Sequence, residues 1–379
     1  MIGIKKIAFL TGTRADFGKI KSLIQMLVEH DDFDPYVFAT GMHLIPIYGD
    51  TIVEIERCNF PHLHRFENFT SENTMDLTLA KTIEGFSAYV KDVEPDLIVV
   101  HGDRVEALAA ATVGALNNIL VAHIEGGELS GTIDELIRHA VSKLSHVHYV
   151  SNVEAKSRLV QMGELPQAIS VIGSPDVDIM FSDQLPELEE VKNYYDISFE
   201  EYAICMFHPV TTEVDLLKDQ IHALKDAMIE SGKNYLIIYP NNDHGSSIIL
   251  DAWKSIASHK QFRILPSLRF EYFLVALKYA SFMIGNSSAG VREAPYYGIP
   301  SINIGSRQLN RVTSSAVINV NADKIEILKA IVNLPKERLI IENAFGTGNS
   351  ATLFKESLES DDFWNLNHQK QFLDVRPQA

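Results

Sequence analysis

Cysteine is scarce. Only Cys58 and Cys205 occur in 379 residues, so neither a disulfide framework nor a cysteine metal knuckle can be built, and a reducing cytoplasm is the expected compartment. Long apolar runs are also missing. After Lys5 and Lys6 only Ile7 to Leu10 are apolar before polar residues resume, too short for a signal-peptide core or a membrane span, so this stretch reads as a buried first strand. Positive charge is in deficit: 33 Lys and Arg stand against 50 Asp and Glu, a net charge of −17. Nucleic acid or an anionic membrane would require a broad basic face, and both are excluded as expected partners. An anionic ligand would have to be gripped locally by a few basic side chains. Compositionally biased tracts are absent too, which points to a globular chain throughout.

What is present is an alternation of short apolar strands and amphipathic helices. KIAFLT, PYVFAT, PDLIVVHGDR, the VAHIE run, HVHYVS and ISVIGS read as strands of a first sheet, several of them uninterrupted in the manner of central parallel strands. A second alternation follows a charged stretch from Leu185 to Glu201: YAICMF, YLIIYP, FRILPS, SFMIG, PSINIG and AVINVN. The economical architecture is α/β, with two Rossmann-like doubly wound domains. The expected boundaries are residues 1–173 and 174–352, with SPDVDIM as the crossing point and a tail, 353–379, whose final helix holds Phe363, Trp364 and Leu366 and packs back on the first domain.

The chain is organised around VAHIEGGELSGTIDELIRHAVSKLS, residues 121–145: a strand, a glycine-rich turn and an amphipathic helix. Ile133, Leu136, Ile137, Ala140, Val141 and Leu144 have the spacing that buries one helical face, and Thr132 with Glu135 makes a capping-box pattern. Asp134 then falls in the first turn, where the helix dipole and Arg138 favour its carboxylate form. Glu125 lies at the strand's carboxyl end, where ligands sit in open parallel sheets. The two acids could face one cleft; alternatively Asp134 decorates a helix start and Glu125 meets a loop amide.

Other polar residues gather at strand ends. Arg14 and Lys19 flank a turn that fits neither glycine-rich phosphate motif but suits an anion, unless Arg14 merely pairs with Asp16 at the surface. His43 follows the second strand. His101, Asp103 and Arg104 end PDLIVVHGDR, where Asp103 could be catalytic or could cap the next helix. His146 and His148 form an H-x-H without a third metal ligand at suitable spacing and read as core or edge histidines; no metal is expected. In the second half His208 follows one strand and Asn241 another. GNSSAGVREAPYYG sets Ser287 and Ser288 at an expected helix start able to bind phosphate, with Glu293 placed to accept ribose hydroxyls or else left exposed beside an Asn/Ser cap. Arg307 and Arg311 could offset a diphosphate's charge or balance neighbouring acids.

TGTRADFGK, GMHLIPIYG, HGDR, HIEGGELSGTIDELIRHAVSKLSH, MFHPVTTE, IYPNND and IGNSSAGVREAPYYGIPSINIGSRQ together, in this order, resemble the hydrolysing UDP-N-acetylglucosamine 2-epimerases of the bacterial sialic-acid pathway. The turn E-G-G-E-L-S-G-T-I-D is similar to the hydrolysing branch, whereas non-hydrolysing relatives carry an E-A-G-L-R-type turn. The resemblance implies a GT-B arrangement with the active site in the interdomain cleft, no cofactor and no metal. It implies Asp103, Glu125, Asp134 and His208 as catalytic residues. For UDP-sugar binding it implies Arg14, Ser287, Ser288, Glu293 and Arg307, with Asn241 as a weaker match; Lys19, His43 and Arg104 join them as candidates at strand ends inside the matching motifs. The expected ligands are UDP-N-acetylglucosamine and UDP, and the expected assembly is a homodimer or homotetramer. Alternative readings are the same chemistry on a 2,4-diacetamido-2,4,6-trideoxy sugar nucleotide for legionaminic acid, a GT-B glycosyltransferase, and a catalytically silent sugar-nucleotide sensor.

Overall fold

A computed structural model of the chain describes residues 3–69, 74–130, 132–183, 185–308, 314–335, 337–340 and 344–374. Arg311 lies outside them. The chain divides into two compact units: residues 1–128, 134–182 and 344–379 form the first, and residues 129–133 and 183–343 the second.

The first unit is built on seven strands: β1 (Lys5–Thr11), β2 (Phe33–Ala39), β3 (His62–Arg65), β4 (Leu97–His101), β5 (Leu120–Ile124), β6 (Val147–Val150) and β7 (Ile169–Val171). Every pairing is parallel and the order is β3-β2-β1-β4-β5-β6-β7. Residues on β1, β4 and β5 are buried on both faces because helices cover both sides, which is why these strands read as unbroken apolar runs. The helices are α1 (Arg14–Val28), α2 (Ile52–Glu56), α3 (Met75–Val93), α4 (Val105–Leu116), α5 (Ile133–Leu144), α6 (Val153–Gln161) and α7 (Pro175–Met180). β3 was not expected: PHLHR alternates no apolar face, and it forms only as an edge partner of β2, with His62 stacked on Tyr36 at 4.1 Å.

The second unit repeats the plan. It holds α8 (Leu188–Tyr195), β8 (Ala203–Met206), α9 (Val214–Glu230), β9 (Tyr235–Ile238), α10 (Ser246–Lys254), β10 (Phe262–Leu265), α11 (Phe270–Lys278), β11 (Met283–Gly285), α12 (Glu293–Tyr296), β12 (Ser301–Ile304), β13 (Val317–Val320) and α13 (Lys324–Val332). Its sheet runs β10-β9-β8-β11-β12-β13, again parallel. The order reverses beside β1 in one sheet and beside β8 in the other, so each unit has the crevice at strand carboxyl ends that a doubly wound sheet creates.

The tail corrects the expectation of one last helix. It forms α14 (Ser350–Leu358) and the short α15 (Asp361–Trp364), with Leu366 beyond both. Asp178 of α7 accepts hydrogen bonds from the free amides of Ser350 and Ala351 at 2.9 and 2.7 Å, capping α14 from another element. Phe354, Leu358 and Phe363 then enter the core of the first unit.

The face that α5 buries also differs from expectation. Ile137 and Val141 are buried, but Leu136 is 65% exposed while Arg138 and Ser142 are inside. Apolar periodicity misplaced the face because two polar side chains find partners on the inward side: Arg138 reaches the partly buried Asp103, and Ser142 donates to the buried His123 Nδ1 at 3.0 Å.

Gly285 closes β11 at φ +132, and a Cβ there would collide with the backbone carbonyl of Met206 on β8. Neither the strand nor the carbonyl can yield without breaking the ladder. Gly285→Ala is therefore expected to destabilise the second unit by about 3 kcal/mol or more, read as a lowered urea midpoint. An unchanged midpoint would show that the strand tolerates a side chain there.

Candidate functional site

In the first unit the candidate acids stand at the carboxyl ends of β4 and β5 and at the start of α5. Glu125 directly follows β5, buried to 4% exposure, with a left-handed φ of +63 that a non-glycine residue holds only under structural constraint. Its backbone amide donates to Tyr149 at 2.8 Å, continuing the ladder to β6. Its carboxylate is gripped on both oxygens. Ser174 and Lys19 address Oε1, the latter at 3.5 Å, and His101 Nε2 donates to Oε2 at 3.1 Å.

The residue at the cap position of α4 is Arg104, whose side chain makes no capping hydrogen bond, and Asp103 just before it accepts a charge-assisted hydrogen bond from Arg138. Asp134 lies in the first turn of α5, half-buried, four residues before Arg138. One helix thus carries Asp134 and fixes Asp103. The guanidinium assigned from sequence to Asp134 reaches across to the other acid, and its second nitrogen donates to the Glu128 carbonyl at 3.3 Å. Beneath them, His123 Nε2 donates to the Gly102 carbonyl at 2.8 Å and ties the turn bearing Asp103 to β5.

Arg14 begins α1 and is half-buried, and Asp16, the alternative surface partner, is itself buried. Asp16 is buried in a capping box with Thr13, accepting from the Gly12 and Thr13 amides at 2.9 and 3.0 Å; burial raises its pKa, opposed by these hydrogen bonds and that of Thr11. Lys19, also buried, is held 2.6 Å from Asp176 Oδ2. His43 is fully buried between Thr11 and Thr51, 3.0 and 2.8 Å away, and burial, assisted by the Arg14 charge, pushes its pKa down to about 3. Arg104 sits 3.5 Å from the buried Glu106. His148 pairs with Glu164 at 3.0 Å, and His146 Nδ1 accepts from the Val121 amide at 3.1 Å, so the H-x-H pair is structural. Among the described residues no cluster of three or more His, Cys, Asp or Glu could hold a metal ion, and no helix is long and apolar enough to cross a membrane.

In the second unit the centre is a residue that sequence reasoning passed over, Asn286. Its side chain brackets His208, accepting from the His208 amide at 2.7 Å and donating to its carbonyl at 2.9 Å. Its own carbonyl accepts from Arg307 at 3.2 Å and Gln308 at 3.0 Å. His208 Nδ1 accepts the Asn241 amide at 3.0 Å, which leaves Nε2 to carry the proton of the neutral ring. Asn286 could have been found as the first polar residue after the apolar SFMIG. Ser287 caps a single 3-10 turn, Ser288–Gly290, accepting from the Ala289 amide at 3.3 Å. The expected continuous helix is broken: α12 spans four residues around Pro295, whose ring cannot donate to a preceding turn. Glu293 is buried at 4% exposure, which excludes the reading of an exposed acid beside a cap.

These two sets of residues sit in a chain whose residues 25–359 match the profile of the UDP-N-acetylglucosamine 2-epimerase family. The chain belongs to this family. A UDP-N-acetylglucosamine 2-epimerase of Neisseria meningitidis serogroup B is 47% identical over 376 residues, covering 98% of this chain and 100% of the relative. The hydrolysing UDP-N,N'-diacetylbacillosamine 2-epimerase of Legionella pneumophila is 34% identical, covering 92% and 94%. The fold matches the crystal structure of the Methanocaldococcus jannaschii UDP-GlcNAc 2-epimerase with UDP-GlcNAc and UDP, with a TM-score of 0.80 at 22% identity, over 93% of this chain and 99% of that one.

The buried histidines of this family member have a measurable consequence. His43 and His123 both have pKa values lowered to about 3, primarily by burial, whereas the unfolded chain titrates near 6.5. Protons are taken up by the unfolded state alone in this window, so the stabilisation from keeping both rings neutral is complete above pH 6.5 and is lost as pH falls toward 3. Each ring should add a slope of about 1.4 kcal/mol per pH unit. His123→Asn should unfold with a shallower pH dependence than the parent in urea titrations between pH 4 and 7; parallel slopes would mean that His123 is protonated in the folded protein.

Proposed function

We propose that this protein is a hydrolysing UDP-N-acetylglucosamine 2-epimerase, converting UDP-N-acetylglucosamine and water to N-acetylmannosamine and UDP, the first step toward sialic acid. The observation that carries this reading is the set of three acids, Asp103, Glu125 and Asp134, at the strand ends and helix start of the first unit in a chain of this family. The 47% identity to the Neisseria relative, spanning that protein entirely, supports the sugar.

The chemistry explains the residue types. The C2 hydrogen of the sugar is not adjacent to a carbonyl, so no side-chain base can form a stable carbanion there. Loosening the anomeric bond first develops positive charge at C1 and makes that hydrogen acidic. In this proposal His208 donates a hydrogen bond through Nε2 to the departing diphosphate, with Arg14 and Arg307 supplying positive charge and Ser287 and Ser288 supplying hydroxyls and amides. Glu293 takes the ribose. Asp134 removes the C2 proton to give a 2-acetamidoglucal; Asp103 and Glu125 divide the return of a proton to the opposite face and the activation of water for C1. Inversion at C2 requires groups on both faces of the ring, which one carboxylate could not supply.

The 34% identical Legionella relative supports a second sugar, the 2,4-diacetamido-6-deoxy analogue, with the same steps. Side-by-side assays of the two UDP-sugars without any acceptor distinguish the readings, and release of UDP without an acceptor separates both from a glycosyltransferase. In deuterium oxide the released N-acetylmannosamine should carry deuterium at C2; unlabelled product would eliminate the glycal route. Asp134→Asn should retain UDP binding and lose at least about a hundredfold in kcat. Near-native turnover would remove Asp134 from its role.

A further inference from the structure

The start of α7 reaches Glu125, directly and through Lys19, by two residues that the proposed mechanism does not use. Ser174 precedes the helix and donates its hydroxyl hydrogen to Glu125 Oε1. Asp176, in the first turn, holds Lys19 Nζ at 2.6 Å, and the same ammonium lies 3.5 Å from Glu125 Oε1. Ser174, Asp176, Lys19 and Glu125 are all buried, so these interactions are poorly screened by water.

We propose that Ser174 and Asp176 are positioning residues for Glu125, acting in opposite senses: Ser174 by a direct hydrogen bond that favours the carboxylate, Asp176 by drawing the Lys19 charge away from it. This rests on the reading that Glu125 takes part in the reaction. The α7 start thereby sets both the direction of the Glu125 carboxylate and its affinity for a proton. Removing the Ser174 hydroxyl takes away a donor to the charged form and makes Glu125 a stronger base. Removing the Asp176 charge leaves Lys19 with Glu125 as its remaining carboxylate partner in this trio, and Glu125 becomes a weaker one. Of the other ionisable groups at these strand ends, His101 at the end of β4 meets Glu125 directly and Asp16 on α1 feels the His101 charge, while Asp103, Arg138 and Glu128 form a linked group nearby in the chain. They are present in every variant, so differences between variants isolate the α7 contribution.

The test is the pH dependence of kcat/KM for UDP-N-acetylglucosamine in the full-length protein. Ser174→Ala should move the acidic limb to higher pH by at least half a unit, Asp176→Asn should move it to lower pH, and Ser174→Thr, which keeps the hydroxyl, should restore the parental limb. KM should change less than kcat in both impaired variants. A packing role alone would lower activity at all pH values without moving the limb, and shifts of the same sign in Ser174→Ala and Asp176→Asn would likewise overturn the proposal. If both variants fold poorly, as judged by circular dichroism, the Ser174→Thr and Asp176→Glu profiles decide: a parental limb in the first and a displaced limb in the second are expected, and parental limbs in both overturn it. A parent enzyme that turns over with inactive Glu125→Gln but unmoved limbs in the α7 variants rejects the positioning role while leaving the function intact. A fully active Glu125→Gln rejects the function assigned to Glu125 itself.

Discussion

A buried amine governs the first unit. Lys19 is almost without water, and Glu125 and Asp176, lying against it, offset the cost of burying its ammonium. The three members of this arrangement come from α1, the end of β5 and α7, so these elements must dock together or leave a poorly compensated charge inside the protein. Glu125 itself stands at a left-handed φ that its own backbone disfavours. The lysine that the sequence offers as an anion-binding candidate lies against two carboxylates in the fold.

The two units use one topology for two kinds of chemistry. Both sheets have a central strand at which the connection order reverses, and both gather polar groups at the strand carboxyl ends. The first unit fills that edge with carboxylates restrained by Arg138, Lys19, Ser174 and His101. The second gathers His208, Gln308 and the Arg307 guanidinium about Asn286, with His208 held as the Nε2-protonated tautomer when neutral. Strongly acidic overall, the protein needs no basic surface under the proposed function. A few cations suffice at the place where a diphosphate would lie.

Much of this could be read in advance, and particular residues show why. β4 and β5 are apolar on both faces, and so continuous apolar runs announced parallel strands. Asp134 had to fall in the first turn of α5 because the periodic residues begin beside it. β3 could not be read, since His62, Leu63, His64 and Arg65 form a strand only where β2 offers an edge. The broken helix after Ser287 was hidden by a sequence that satisfies cap rules locally, while Pro295 ends each attempt to extend it. Leu136 was assigned inward because periodicity counts apolar residues and cannot know that Arg138 and Ser142 have polar partners on the inward side.

By itself the sequence determined the parallel α/β class, the positions of the strand ends and the residue types gathered there, because these follow from burial periodicity and from where apolar runs stop. Only the tertiary structure decided the partnerships: Arg138 with Asp103, Ser174 with Glu125, Asp176 with Lys19, Asn286 with His208. Those pairs lie tens of residues apart along the chain, and each depends on desolvation. In water an isolated charge or amide has no need to choose a partner, but inside the fold every buried one must have its partner in place.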